Sequence, residues 1–65
     1  MNNNKEYEWI NGLQAAELTG MSRSTLYVMI KSGEFPRPVK LGKRRAAWTK
    51  EIVLDWIEKK INESK

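Results

Sequence analysis

The sequence predicts a mainly α-helical fold with a small β-hairpin, in the arrangement of a winged helix-turn-helix. Apolar residues recur at helical spacing in three segments, and a glycine at a sharp turn separates the first two. Between the second and third segments, two prolines precede residues that alternate between apolar and polar around a basic turn. We expect helices at about residues 12–19, 22–32 and 49–62 and a two-stranded wing at about residues 38–48.

Length and composition limit what such a chain can do. Its 65 residues suffice for one domain, which we place at residues 9–63 after a polar, disordered tail over residues 1–8. The sequence has no Cys and no His, the usual zinc ligands, and it has no glycine-rich phosphate loop. We therefore expect no metal, no cofactor and no enzymatic activity. No apolar run reaches the roughly 20 residues of a membrane span and no secretion signal is present, so we expect a cytoplasmic protein.

The first predicted helix has clear signals at both ends. Asn11 is a good N-cap, and Gln14 three residues later can complete a capping box. Gly20 ends the helix, because this position requires a positive φ. Trp9 and Ile10, just before the helix, are candidate core residues.

The second predicted helix begins after Ser22, whose hydroxyl can cap it, and Gly33 ends it. Its apolar side chains cluster on one side of a helical wheel. The opposite side is polar and basic apart from one valine. The inward residues are Leu26, Met29 and Ile30, and the outward ones are Ser24, Tyr27, Val28 and Lys31, with Arg23 and Thr25 at the edges.

The wing needs support from the helices, because an isolated two-stranded hairpin is not stable in water. We therefore expect its apolar side chains to pack on the helices. They are Phe35, Val39, Leu41 and Trp48. The third helix follows at once, with Thr49 as N-cap and an apolar face formed by Val53, Trp56, Ile57 and Ile61. Trp48 and Trp56 could stack on bases, but their spacing in phase with aliphatic residues favours the core.

The charge is concentrated in the middle of the sequence. Residues 22–50 contain eight lysines and arginines against one acid, Glu34, which gives a net charge of +7. The rest of the chain has a net charge of −3, so the total of +4 hides a basic centre between acidic flanks. Most charged surfaces are only solvated, but a basic region beside a helix-turn-helix is typical of a polyanion site.

These features together predict binding of double-stranded DNA, with the second helix in the major groove. Arg23 can bind a guanine edge or a phosphate, and the small hydroxyl side chains can bind phosphate at the start of the helix. The basic wing can lie along the backbone or enter a narrow minor groove. The candidate DNA-binding residues are Ser22, Arg23, Ser24, Thr25, Tyr27, Lys31, Arg37, Lys40, Lys43, Arg44 and Arg45.

Two of these assignments, and one further residue on the same helix, have structural alternatives. Val28, outside that set, either contacts a thymine methyl or a sugar, or is a singly exposed valine without a role. Tyr27 either contacts DNA or packs against the wing. The wing turn at Lys43, Arg44 and Arg45 either contacts DNA or only keeps the surface solvated.

Several segments resemble the AlpA family of small phage and prophage regulators, part of a wider MerR-like and excisionase-like winged-helix group. The resemblance covers roughly residues 10–60, in matching order and spacing. The segments are residues 13–20 (LQAAELTG), 22–27 (SRSTLY), 31–36 (KSGEFP) and 38–42 (PVKLG), with Trp48, Val53, Trp56 and Ile57.

The resemblance implies a winged helix-turn-helix that binds double-stranded DNA, with an integrase or RNA polymerase as protein partner and no membrane. By their positions in the motifs, the resemblance implies that the second helix contacts DNA through Arg23, Ser24, Thr25, Tyr27 and Lys31. It implies that the wing contacts DNA through Lys43, Arg44 and Arg45. The longer MerR regulators add a coiled coil and an effector domain. This sequence ends soon after the third helix, so we expect no effector sensing, and self-association only on DNA or through another surface.

Three functions fit these residues. The leading one is a sequence-specific transcription regulator of a prophage or another mobile element. An excisionase that bends attachment-site DNA for an integrase requires the same fold, so the residues do not separate the two. A protein-interaction inhibitor of a regulator or integrase belongs to a different class, and its acidic third helix, with Glu51, Asp55 and Glu58, would face a basic partner.

Overall fold

The structure, a computed structural model, describes residues 6–64 and has three helices and a small antiparallel sheet in that part of the chain. The winged helix-turn-helix prediction is confirmed. Part of the predicted tail, residues 1–5, lies outside the described residues. In chain order the elements are β1 (Trp9–Ile10), α1 (Gly12–Thr19), α2 (Arg23–Ser32), β2 (Val39–Lys40), β3 (Ala46–Thr49) and α3 (Lys50–Glu63).

The helix boundaries follow from the caps that the sequence predicts. The Asn11 side chain accepts a hydrogen bond from the Gln14 amide at 2.8 Å, and the Gln14 side chain accepts one from the Asn11 amide at 2.9 Å. This capping box fixes the start of α1. Gly20 and Gly33 close α1 and α2 with φ values of 75° and 84°. Thr49 caps α3 by accepting a hydrogen bond from the Ile52 amide at 3.2 Å.

Replacing Gly20 with alanine should destabilise the domain by about 1–2 kcal/mol, because a Cβ is strained at positive φ. A Cβ at this position would meet no atom within 4 Å, so the cost comes from the backbone alone. Urea unfolding followed by circular dichroism measures it. Gly42→Ala is the matched control, since that glycine has equal space and no positive φ. Equal stability of the two variants would contradict the assigned role of Gly20.

The sheet has one strand more than the predicted wing. Strand β3 lies in the centre, with β2 on one side and β1 on the other. The register pairs Ile10 with Trp48 and Val39 with Ala47, both antiparallel. A third strand supplies the support that a two-stranded hairpin lacks. Trp9 was predicted as a core residue, and this prediction is wrong, because its side chain is 40% exposed.

The core forms where the three helices meet the inner face of the sheet. Its buried members are Ile10, Ala15, Leu26, Phe35, Trp48 and Val53. The predicted burial of Phe35 and Trp48 is confirmed, whereas Val39 and Leu41 are 39% and 43% exposed. These two lie in or beside β2, an edge strand, and Phe35 and Trp48 fill the space under the wing. Ile61 is also exposed, because it lies in the last turn of α3 beyond the core.

Two indole rings hold the loop between α2 and the wing. The Trp48 indole N–H donates to the Pro36 carbonyl at 2.9 Å, and the Trp56 indole N–H donates to the Glu34 carbonyl at 2.9 Å. The Phe35 ring lies between them, and its centroid is 5.8 Å from that of Trp48 and 4.8 Å from that of Trp56, both in edge-to-face orientation. The loop therefore has a fixed path, which sets the position of the wing relative to α2.

Candidate nucleic-acid interface

The outer face of α2, which we define as the exposed side chains of Arg23, Ser24, Tyr27, Val28 and Lys31, is directed to solvent as predicted. The opposite side of the helix is anchored by Leu26, which is fully buried. Met29 and Ile30 are half-buried and pack against the core. Because the apolar side of α2 is held by the domain, its polar side is available for a ligand along the length of the helix.

The hydroxyl groups at the start of α2 differ in how much of their hydrogen-bonding capacity is used within the protein. The Ser22 hydroxyl accepts from the Thr25 amide at 3.1 Å and donates to the Thr25 hydroxyl at 2.9 Å. Ser22 is therefore occupied as the helix cap, whereas the Thr25 hydroxyl keeps its own proton for donation. Within residues 6–64, the Ser24 side chain makes no hydrogen bond, and it is exposed. Ser24 and Thr25 thus keep hydroxyl protons that are available to a ligand.

Arg23 and Tyr27 lie one helical turn apart and meet the start of α1. An ideal Cβ on Gly12 would be 2.8 Å from the Tyr27 hydroxyl oxygen and 3.9 Å from the Arg23 Nε. The absence of a side chain at Gly12 thus makes room for the end of the Tyr27 side chain. No sequence pattern predicts this approach, because it depends on how α1 packs on α2.

The wing turn, residues 41–45, is closed by backbone hydrogen bonds. The amides of Leu41 and Gly42 both donate to the Arg45 carbonyl, at 2.8 and 3.2 Å. All residues of the turn are exposed. Arg44 and Arg45 also border a surface depression whose other side includes Asn11 and Gln14.

The start of α1 is therefore the structural link between the two predicted contact segments. One side of it meets Arg23 and Tyr27 of α2, through Gly12. The capping box at Asn11 and Gln14 faces the depression beside the wing turn. The two basic segments are thus brought to neighbouring parts of the surface. The remaining predicted residues, Arg37 in the loop before β2 and Lys40 in β2, are both exposed.

In the part of the chain that the structure describes, the cations of the predicted site have no carboxylate partners. In residues 6–64, the ion pairs are Lys50 with Glu8 at 3.9 Å and Lys60 with Glu63 at 3.3 Å, both outside the predicted site. The cations of the site that form no ion pair with a described residue are Arg23, Lys31, Arg37, Lys40, Lys43, Arg44 and Arg45. Their charge is not neutralised by the fold, so it is available to a polyanion.

Comparison with known proteins places the chain in a family. A family model described as "Prophage CP4-57 regulatory protein (AlpA)" matches residues 8–61. The chain belongs to the AlpA family. The match begins just before β1 and ends in the last turns of α3, so the AlpA unit is the whole winged helix-turn-helix. The resemblance expected from the sequence is confirmed.

A curated relative of this AlpA-family chain is "Uncharacterized protein ORF88" of Enterobacteria phage P4, 42% identical over 48 residues. The alignment covers 74% of the present chain and 54% of the relative, so the chain spans about half the length of that protein. No solved structure matches the chain significantly. Within residues 6–64, no helix has the length and hydropathy that crossing a bilayer requires.

Proposed function

We propose that this AlpA-family protein binds double-stranded DNA in a sequence-specific manner and regulates transcription of a prophage or another mobile element. Helix α2 enters the major groove through its outer face. The wing turn follows the adjacent backbone or minor groove. Arg23, Ser24, Thr25, Tyr27 and Lys31 contact the groove, and Arg37, Lys40, Lys43, Arg44 and Arg45 contact phosphates, while Ser22 caps the helix.

The observation that supports this proposal is the set of exposed cations on either side of the start of α1, which form no ion pair within residues 6–64. A folded domain gains little from like charges that are close together and unneutralised. In duplex DNA, two rows of phosphates line the edges of each groove. A helix can lie in the groove while the adjacent wing lies along one of these rows. The family description as a regulatory protein favours a role in transcription over one in excision.

Selection from a random duplex pool at physiological salt tests this function. The full chain should enrich a defined motif, and a footprint on that motif in phage DNA should cover a site beside a promoter. Several adjacent copies on phased sites, with a bend in the DNA, would instead indicate an excisionase acting with an integrase. Failure to enrich any motif, with affinity no greater than charge alone provides, would refute sequence-specific binding.

Replacing both Arg44 and Arg45 with alanine should weaken binding to every duplex and reduce its dependence on salt. If the protein neutralises about five phosphates, the logarithm of its affinity falls with the logarithm of salt at a slope of roughly −4.5. Loss of two contacts makes that slope less steep by about 2. Fluorescence anisotropy across a salt series measures it.

Lys59→Ala with Lys60→Ala is the charge-matched control for the wing variant, because these lysines lie on α3 outside the proposed interface. We expect this control to change the slope much less. A wing variant that kept the original slope, or a control that changed it equally, would show that the wing does not contact DNA.

A further inference from the structure

We propose that Val28 reads the 5-methyl group of a thymine in the major groove, so that one position of the target site is a required thymine. This inference rests on the proposed function and specifies part of its sequence recognition. Val28 is 65% exposed, the highest exposed fraction among the large apolar side chains of residues 6–64.

Val28 lies near the middle of the outer face of α2. At about 100° per residue, it is about 40° from Ser24 and about 160° from the fully buried Leu26. Lys31 follows one turn later on the same side. The side of α2 opposite Leu26 lies farthest from the core, so it is the side that a groove-binding helix directs into the groove. Val28, on that side, would then lie against the base edges.

Among the described residues, no packing requirement explains a valine at this position, which is largely exposed. A β-branched residue lowers helix propensity at an exposed site, where alanine, lysine or glutamate would stabilise α2 more. Its neighbours one turn away on the same side, Ser24 and Lys31, are polar, and the exposed Tyr27 ring carries a hydroxyl, so the wholly apolar area of the outer face is a single side chain. That area is too small for a protein-docking patch, which requires a contiguous apolar surface.

A thymine methyl has the chemistry that matches this isolated side chain. It is the apolar group on the base edges of the major groove, where the other edge groups are hydrogen-bond donors and acceptors. The valine side chain has a single strongly preferred χ1 rotamer in a helix, so little conformational entropy is lost when its methyl groups are held against a base. The polar neighbours Ser24 and Lys31 can bind adjacent edges or phosphates without competing for the same group.

Removing single methyl groups from the DNA tests the inference directly. In the duplex selected from the random pool, each thymine is replaced in turn by deoxyuridine, which lacks only the 5-methyl group. One replacement should weaken binding of the 65-residue chain about fourfold, as expected for one methyl-sized group buried at the interface. Val28→Ala should bind the thymine and deoxyuridine duplexes equally. Ile61→Ala, with a similarly exposed aliphatic side chain on α3, should keep the preference for thymine.

The outcomes separate this inference from the function on which it rests. A protein that binds its selected duplex specifically, but tolerates deoxyuridine at every position, retains the proposed function and overturns the role of Val28. A preference for thymine that persists in Val28→Ala assigns the methyl contact to another residue and also overturns it. A protein without any sequence preference overturns both proposals.

Discussion

Replacing Trp48 with alanine should lower the free energy of unfolding by about 3–5 kcal/mol and leave the domain largely unfolded at 37 °C. In a domain of this size the hydrophobic core rarely supplies more than about 3–5 kcal/mol of net stability, so a loss of this magnitude removes most of it. Trp48 is 2% exposed and lies at the centre of the sheet, in β3. Its removal leaves a cavity beside Phe35 and leaves the Pro36 carbonyl without its indole donor.

Urea unfolding monitored by circular dichroism measures the loss, and two variants separate its causes. Trp48→Phe keeps most of the apolar volume but removes the hydrogen bond to Pro36, so it should cost about 1–3 kcal/mol. Trp9→Ala removes a tryptophan that is 40% exposed, and it should cost much less than Trp48→Ala. Similar losses at Trp9 and Trp48 would contradict the core described above.

The sequence predicted the helix boundaries well, because the signals that set them are local. Asn11, Ser22 and Thr49 each accept from an amide three residues later, and this chemistry can be read from spacing alone. Gly20 and Gly33 close their helices through a backbone conformation that glycine adopts without strain. These five positions act within one turn of the chain, so their effect does not depend on the rest of the fold.

The sheet was predicted less well, because its pairing is not local. β1 is two residues long, which is too short to show an alternating pattern. It pairs with Trp48 and Thr49, which are distant from it in the sequence. The alternation at Val39 and Leu41 indicated buried side chains, but β2 lies at the sheet edge and both remain exposed. Alternation predicts which side chains share a face, and the neighbouring elements decide whether that face is covered.

In the candidate site, too, the local features could be predicted from the sequence and the packing between elements could not. The face of α2 on which Ser24, Tyr27 and Lys31 lie follows from helical periodicity, and the sequence predicted it. The approach of Tyr27 and Arg23 to Gly12 could not be predicted, because no periodic pattern describes the angle at which α1 packs on α2. Contact with DNA by these residues stays a prediction, and Arg23 provides the most decisive test of it.

Replacing Arg23 with alanine should weaken binding to the selected duplex by about 1–3 kcal/mol, roughly 5- to 150-fold, and relax the preference at one base pair. Arg23 is the first residue of α2, is exposed and has no carboxylate partner in the part of the chain that the structure describes. The N-terminal residues of a recognition helix are those that contact base edges. A guanidinium there can bind the O6 and N7 atoms of a guanine together.

Affinities for a panel of single base-pair variants of the selected duplex measure this effect. Arg23→Lys is the informative companion, because it keeps the charge and loses the planar fork. If Arg23 binds a guanine, Arg23→Lys should lose base preference nearly as fully as Arg23→Ala while keeping more affinity for non-specific DNA. If Arg23 binds only phosphate, Arg23→Ala should weaken binding to all duplexes equally, and Arg23→Lys should keep most of the affinity. That result would assign base recognition to Ser24, Val28 and Lys31.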